Sequence, residues 1–180
     1  MGDDTMSSSD PAPLSTPMPS LSNQPTLDNS VWYGNALVSL LVSAEATGGR
    51  YALIYMRNQR GFTPPPHRHG PEACYVIRGR LWFDIAGEEI IATEGHLVNV
   101  PPSVWHAFRV ESDEAEYLLT FSPPGMEQLF FRAGKPAGAL EPPAGRAGPP
   151  DLAQIQAIST ALGIETAPPG SSVRDLSQAR

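Results

Sequence analysis

Between Val31 and Phe131 the chain runs through short apolar segments separated by Gly and Pro, the pattern of an all-β sandwich or barrel. Candidate strands are Ala36 to Val42, Tyr51 to Arg57, Ala73 to Ile77, Leu81 to Ile85, Glu89 to Ala92, Leu97 to Val100, His106 to Val110 and Glu116 to Phe121. That is about the eight strands of a jelly roll. In Leu81 to Ile85, Leu81, Phe83 and Ile85 share one face and Trp82 and Asp84 the other, as a half-buried strand requires. Gly48-Gly49 and Ala86-Gly87 fall between runs, where a positive φ is wanted. The prolines at 64 to 66, 101 to 102 and 123 to 124 also fall in gaps, where a missing N–H interrupts no ladder.

The flanks read differently. Residues 1 to 30 are rich in Ser, Pro, Asp, Asn and Thr and nearly free of aliphatic side chains, so they cannot bury enough apolar surface to offset ordering and are expected to form a disordered tail. Residues 132 to 180 read as a Pro/Gly-rich linker, a short helix over about 151 to 162 and a flexible end from about Pro168. Asp151 supplies the helix start, Leu152, Ile155, Ile158 and Leu162 its apolar stripe, and Gly163 its stop.

Composition narrows the function classes. A formal net charge of -7, with 12 basic against 19 acidic residues, disfavours the phosphate neutralisation on which nucleic-acid binding rests. No segment approaches the ~20 apolar residues of a membrane span, and the start lacks the basic and apolar regions of a secretory signal, so no membrane partner and a cytoplasmic location are expected. The single cysteine, Cys74, excludes an intramolecular disulfide or a multi-cysteine metal site within one chain.

Three of the four histidines fall in one ordered pattern. His67 and His69 are one residue apart, which on a strand places both imidazoles on one face. Alone, such a pair is as readily two hydrogen-bonded strand residues as two metal ligands. The pair, however, follows Gly61 after five residues and precedes Glu72 and then Gly79. Fifteen residues on, a second set runs Gly95, Pro101, Ser103, His106. Imidazoles suit iron, nickel, copper and zinc, and a carboxylate adds hardness and charge compensation. His96 stands outside both sets and reads as an ordinary loop residue. If Glu72 points inward, alternation puts Cys74 and Val76 on its face and Ala73, Tyr75 and Ile77 on the other. Phe62, Phe83, Trp105 and Phe108 are equally candidates for cavity wall and for core.

The two sets resemble the paired motifs of the cupin superfamily, and the sequence around Trp32 to Val42 and Pro64 to Phe131 is similar to single cupins of the quercetin dioxygenase-like group. The resemblance implies an all-β double-stranded β-helix, a jelly-roll barrel over residues 31 to 131. It also implies one divalent transition metal held by His67, His69, Glu72 and His106, with iron, nickel, manganese, cobalt, copper and zinc not distinguished. By the same resemblance Glu72 is the catalytic base, and the activity is a dioxygenase opening a flavonol-like or other aromatic enol substrate with dioxygen. Two alternatives stand beside it: a non-catalytic cupin that captures a small molecule, and a metal-dependent isomerase that needs no oxygen. The chain departs from the family in the two-residue gap between His69 and Glu72, in Ser103 for Gly and in Val110 for Asn. The short gap leaves open a three-histidine site with Glu72 held outside. Edge strands and the Trp32-Tyr33 segment could support a homodimer.

Overall fold

The computed structural model describes residues 23–145 and 151–179; most of the expected N-terminal tail, residues 1 to 22, lies outside the described residues. Twelve strands are formed: β1 Ser30–Tyr33, β2 Ala36–Val42, β3 Ala52–Gln59, β4 His67–Arg68, β5 Glu72–Arg78, β6 Arg80–Ile85, β7 Glu88–Thr93, β8 Leu97–Val100, β9 His106–Val110, β10 Glu114–Phe121, β11 Lys135–Pro136 and β12 Glu165–Thr166. Three α-helices accompany them: α1 Glu127–Ala133, α2 Leu152–Ala161 and α3 Val173–Gln178. The strands make two antiparallel sheets, in the orders β11-β1-β2-β3-β10-β5-β8 and β12-β4-β9-β6-β7.

Period-two alternation decides what lies between the sheets. Ala52, Ile54, Met56 and Asn58 of β3 and Ala115, Tyr117, Leu119 and Phe121 of β10 all point inward and are buried. On β5, Glu72, Cys74 and Val76 are buried, while Tyr75 and Ile77 face out, as alternation from an inward Glu72 requires. Leu81, Phe83, Phe108 and Val110 of the second sheet complete the same core. Phe62 and Phe83 each lie 5.8 Å, centroid to centroid, from Phe108, and Phe108 meets Tyr117 edge-on. These aromatics are packing residues of the core. Ala86 (φ 56) and Gly87 (φ 89) make the two-residue turn between β6 and β7 with both φ positive, matching the twist of a hairpin.

The expectation of a closed all-β jelly-roll barrel with a single C-terminal helix is corrected. The fold is mixed, with three helices and two open sheets whose edges are β11 and β8 in one and β12 and β7 in the other. Alternation along a strand reports which side chains face inward; it carries no information on whether the outer strands hydrogen-bond across the seam. The missed elements have local causes. Strands β4, β11 and β12 are two residues long, too short to show a period. Helix α1 follows Pro123-Pro124-Gly125 directly, and α3 lies in the stretch read as a flexible end, where Ser172 accepts a hydrogen bond from the Asp175 N–H as its cap and Val173 is buried. Helix α2 starts with the Asp151 side chain accepting from the Gln154 N–H.

Gly79, at the turn from β5 to β6, is a position only glycine can fill. Its φ is +97°, and an added Cβ would lie 2.6 Å from the Glu114 carbonyl oxygen and 2.8 Å from the Ala115 Cα. Gly61 also has positive φ, +83°, but open space around the same position. Gly61→Ala should therefore cost only the backbone penalty of about 1–3 kcal/mol, while Gly79→Ala pays that plus the clash and destabilises clearly more. Chemical unfolding of the two variants side by side measures the difference; equal losses would contradict it.

Candidate metal centre

The seam between the sheets brings the motif residues to one place. His67 on β4 is the direct cross-strand partner of His106 on β9, and β4 pairs on its other side with β12 through Thr166. Directly opposed residues of an antiparallel pair have neighbouring side chains, and the two imidazole centroids are 4.3 Å apart. His69, just past β4, lies 5.3 Å from the His67 ring and 4.9 Å from that of His106. One donor atom from each of the three falls within 4.8 Å of the others. Glu72 enters from the other sheet, at the start of β5, where it pairs with Phe121 on β10 and Val100 on β8. Its Oε2 is 3.6 Å from His69 Nε2 and its Oε1 3.9 Å from His106 Nε2. The Gly70-Pro71 spacer is therefore long enough to bring the carboxylate to the cluster. All four side chains are buried.

The orientation of each imidazole is set by a backbone carbonyl. His67 Nδ1 is 3.0 Å from the Pro65 oxygen, His69 Nδ1 2.7 Å from that of Gly70, and His106 Nδ1 2.9 Å from that of Val104. A carbonyl oxygen only accepts, so each Nδ1 carries the hydrogen and each Nε2 presents a lone pair. The Nε2 atoms of His69 and His106 are buried without a hydrogen-bond partner. An orphaned buried acceptor costs about 1–3 kcal/mol, and two of them beside a carboxylate fit a cation. Two ligand atoms each about 2.1 Å from one ion sit roughly 3–4 Å apart, which is the spacing found here between carboxylate and imidazole. The three histidines thus form a site capable of coordinating a divalent transition metal, with tautomers already chosen by their outer hydrogen bonds.

Burial tunes all four groups. It lowers the His67 pKa to about 3 and the His69 pKa to about 4, with the neighbouring imidazoles adding repulsion and the carbonyl hydrogen bonds opposing. Burial lowers His106 as well. It raises Glu72 to about 7. Near neutral pH the imidazoles are uncharged, the form a metal takes. A cation held among them would pull the Glu72 value back down.

Other residues of the neighbourhood carry little sequence signal. Arg68, between the two histidines, reaches outward to an ion pair with Glu165 at 2.6 Å and lies over the Trp105 ring at 4.9 Å, so Trp105 stacks on a cation. A cavity of about 110 Å³ abuts His69 and is walled by Phe121, Met126, Leu162 and Ile164. A more open and polar one of about 300 Å³ shares His69 and Gly70 and is edged by Arg68, Ser103 and Glu165. Leu162 and Glu165 are far from the motifs in sequence, and only the pairing of the short strand β12 with β4 brings them near. His96 is an exposed turn residue hydrogen-bonded to Thr93.

No curated protein matches the chain. Among solved structures, a cupin-like protein from Thermotoga maritima is 24% identical, covering 52% of this chain and 72% of that one with a TM-score of 0.46. KdgF from Halomonas sp. is 17% identical, covering 50% and 80% with a TM-score of 0.46. An RmlC-like cupin from Shewanella frigidimarina is 21% identical, covering 51% and 79% with a TM-score of 0.45. None of these likenesses selects the quercetin dioxygenase-like group. Residues 54–121 match the family model described as a cupin domain, a segment that holds the three clustered histidines, Glu72 and both motif sets.

Proposed function

We propose that this chain is a metal-dependent cupin enzyme that moves a proton on a small, chelating substrate, an isomerase-type reaction needing no oxygen, with His67, His69 and His106 as metal ligands and Glu72 as the proton-transfer group. The observation that carries the reading is the pair of orphaned Nε2 lone pairs on His69 and His106 with the Glu72 carboxylate within 4 Å of both. A divalent ion bound there would polarise a substrate carbonyl or hydroxyl oxygen as a Lewis acid. Glu72, buried and beside the same point, takes the proton from the hydroxyl-bearing carbon next to the substrate carbonyl; the C–H electron pair becomes the new C=C bond as the carbonyl π pair moves onto its oxygen. The protonated carboxyl then gives the proton to the former carbonyl carbon, which takes the C=C pair, while the neighbouring hydroxyl re-forms a C=O bond and its proton passes to the first oxygen. A group that both accepts and gives back a proton works best with a pKa near the working pH; burial raises Glu72 and a bound cation would lower it, so the two act against each other there.

The apolar cavity of about 110 Å³ beside His69 is smaller than the roughly 150 Å³ that holds one benzene ring, so that cavity suits a small aliphatic group; the more open and polar cavity of about 300 Å³ also borders His69. Ring cleavage by dioxygen keeps the support of the sequence resemblance alone. A binding cupin without catalysis would keep the metal site and show neither proton exchange nor oxygen uptake.

Metal content tests the ligand set. His67→Ala, His69→Ala and His106→Ala should each fold, because the core lies in the sandwich, and each should lose metal affinity by more than about 100-fold. Elemental analysis of the purified variants measures it, and full occupancy in all three would end the assignment.

The metal-free protein should show a distinctive pH profile. His67 and His69 have folded pKa values below the ordinary 6.5, so below that pH the unfolded chain takes up protons that the folded one refuses, and stability falls as pH falls. His106 acts in the same sense. Glu72 acts oppositely: raised from 4.5 to about 7, its contribution is present below 4.5 and is lost as pH rises through 7. With three imidazoles opposing one carboxyl, thermal melts in chelator should rise from pH 5 to 6.5 and then level off toward 7.5. A melting temperature that falls steadily from pH 5 to 6.5 would contradict the neutral-imidazole site.

Proton transfer itself is tested in deuterium oxide. Metal-loaded protein incubated with a panel of small 2-hydroxy and 2-oxo carbonyl compounds should catalyse deuterium uptake at the carbon next to the carbonyl, followed by NMR. Glu72→Gln, which keeps the size but removes the base, should cut the exchange rate by about 100- to 10,000-fold while retaining most of the metal. Oxygen consumption with no exchange would favour the dioxygenase.

A further inference from the structure

The geometry points to Leu162 and Ile164, at the end of α2, as the residues that limit the apolar part of a chelating substrate: they wall the small cavity at His69. The inference rests on the metal-site reading above and extends it to substrate class. The cavity is small, about 110 Å³, so its wall sets how long an apolar group it takes.

The cavity reaches the candidate centre from its apolar side. It ends on His69 and on Phe121, whose ring centroid is 6.2 Å from the His69 imidazole and whose backbone is the cross-strand partner of Glu72. Met126 and Pro123 form one bank and Leu162 and Ile164 the other. All of these are apolar, so the group they receive is apolar. The only polar lining side chain is His69.

The wall is fixed at both ends. On leaving α2, the Leu162 N–H donates to the Ile158 carbonyl, Gly163 turns the chain with φ +69°, and the Ile164 N–H donates to the Ser159 carbonyl at 2.8 Å. The side chain of Ile164, 5% exposed, packs with Leu129 and Ile158 in a second apolar cluster between α1 and α2. The chain then continues as β12, which pairs with β4 beside His67, the Ala167 N–H donates to the Pro66 carbonyl, and Glu165 pairs with Arg68. A wall tied on one side to the histidine-bearing strand and on the other to a packed cluster cannot retreat from a longer ligand without breaking one of these attachments.

The test uses the full chain loaded with cobalt(II), whose visible absorption reports changes at the metal, titrated with straight-chain hydroxamates from acetohydroxamate to octanohydroxamate. In the unaltered protein affinity should drop by about tenfold or more once the chain outgrows the cavity, since a methylene with or without room differs by 10- to 200-fold. Leu162→Ala and Ile164→Ala should restore at least about that tenfold to hexanohydroxamate while leaving acetohydroxamate within about twofold. Leu162→Trp should exclude all but the shortest members. If Ile164→Ala does not fold, the two Leu162 variants decide. A length profile that is flat, or one that is the same in every variant, overturns the proposal, as does a cobalt spectrum that no hydroxamate perturbs. Failure of the protein to take up cobalt, seen before any hydroxamate is added, defeats the metal-site reading instead.

Discussion

Three imidazoles and a carboxyl are buried at one point in the seam between two sheets, and their desolvation is the constraint around which the rest of the site is arranged. Left alone, each group adjusts by becoming neutral: burial lowers the histidine pKa values and raises that of Glu72. Neutrality satisfies the electrostatics but leaves two Nε2 lone pairs without a donor. Carbonyl oxygens at Pro65, Gly70 and Val104 occupy every Nδ1–H, so the rings cannot turn to satisfy Nε2 without orphaning Nδ1. The cluster is locked into a form that a cation completes.

That lock depends on strands that are individually insignificant. β4 is two residues long, yet it presents His67 to His106 across one edge and takes β12 along the other. Stability for so short an element comes from its neighbours: the Arg68–Glu165 ion pair, the stacking of Arg68 on Trp105 and the Ala167 to Pro66 hydrogen bond all fasten the C-terminal segment over it. An exposed pair such as Arg68–Glu165 is worth at most about 1 kcal/mol alone. The apolar cluster of Leu129, Ile158 and Ile164 does more to hold the segment, because it removes three branched side chains from water. A segment beyond the cupin-domain match thus supports one edge of the candidate centre and lines one of its cavities.

What could be read from the sequence follows from which physical signals are local. The motif spacings pointed to His67, His69, Glu72 and His106; the three imidazoles cluster, and the Glu72 carboxylate lies within 4 Å of His69 and His106 across the short Gly70-Pro71 gap. Strand alternation anticipated that Glu72, Cys74 and Val76 share a buried face. Sheet closure was misread because hydrogen bonding between edges is a long-range property with no period in sequence. The helices α1 and α3, six or seven residues long, fell below the length at which an apolar stripe repeats. The walls of the apolar cavity were missed for a related reason: Leu162 read as the stripe of a helix, which it also is, and nothing near it in sequence points to a histidine almost a hundred residues away.

The proposed proton transfer draws on the same geometry. The apolar cavity beside His69, about 110 Å³, is bounded by Phe121 and Ile164, and a more open, polar cavity of about 300 Å³ also borders His69. Proton transfer demands one chelated oxygen, one adjacent carbon and one base within reach of it. Among the described residues the buried carboxyls are Glu72 and Glu127, and the latter accepts a hydrogen bond from the Gly125 N–H at the start of α1. Glu72 is the buried acid at the histidines, with its carboxylate oxygens 3.6 Å from His69 Nε2 and 3.9 Å from His106 Nε2, so the proposed proton transfer has a positioned group.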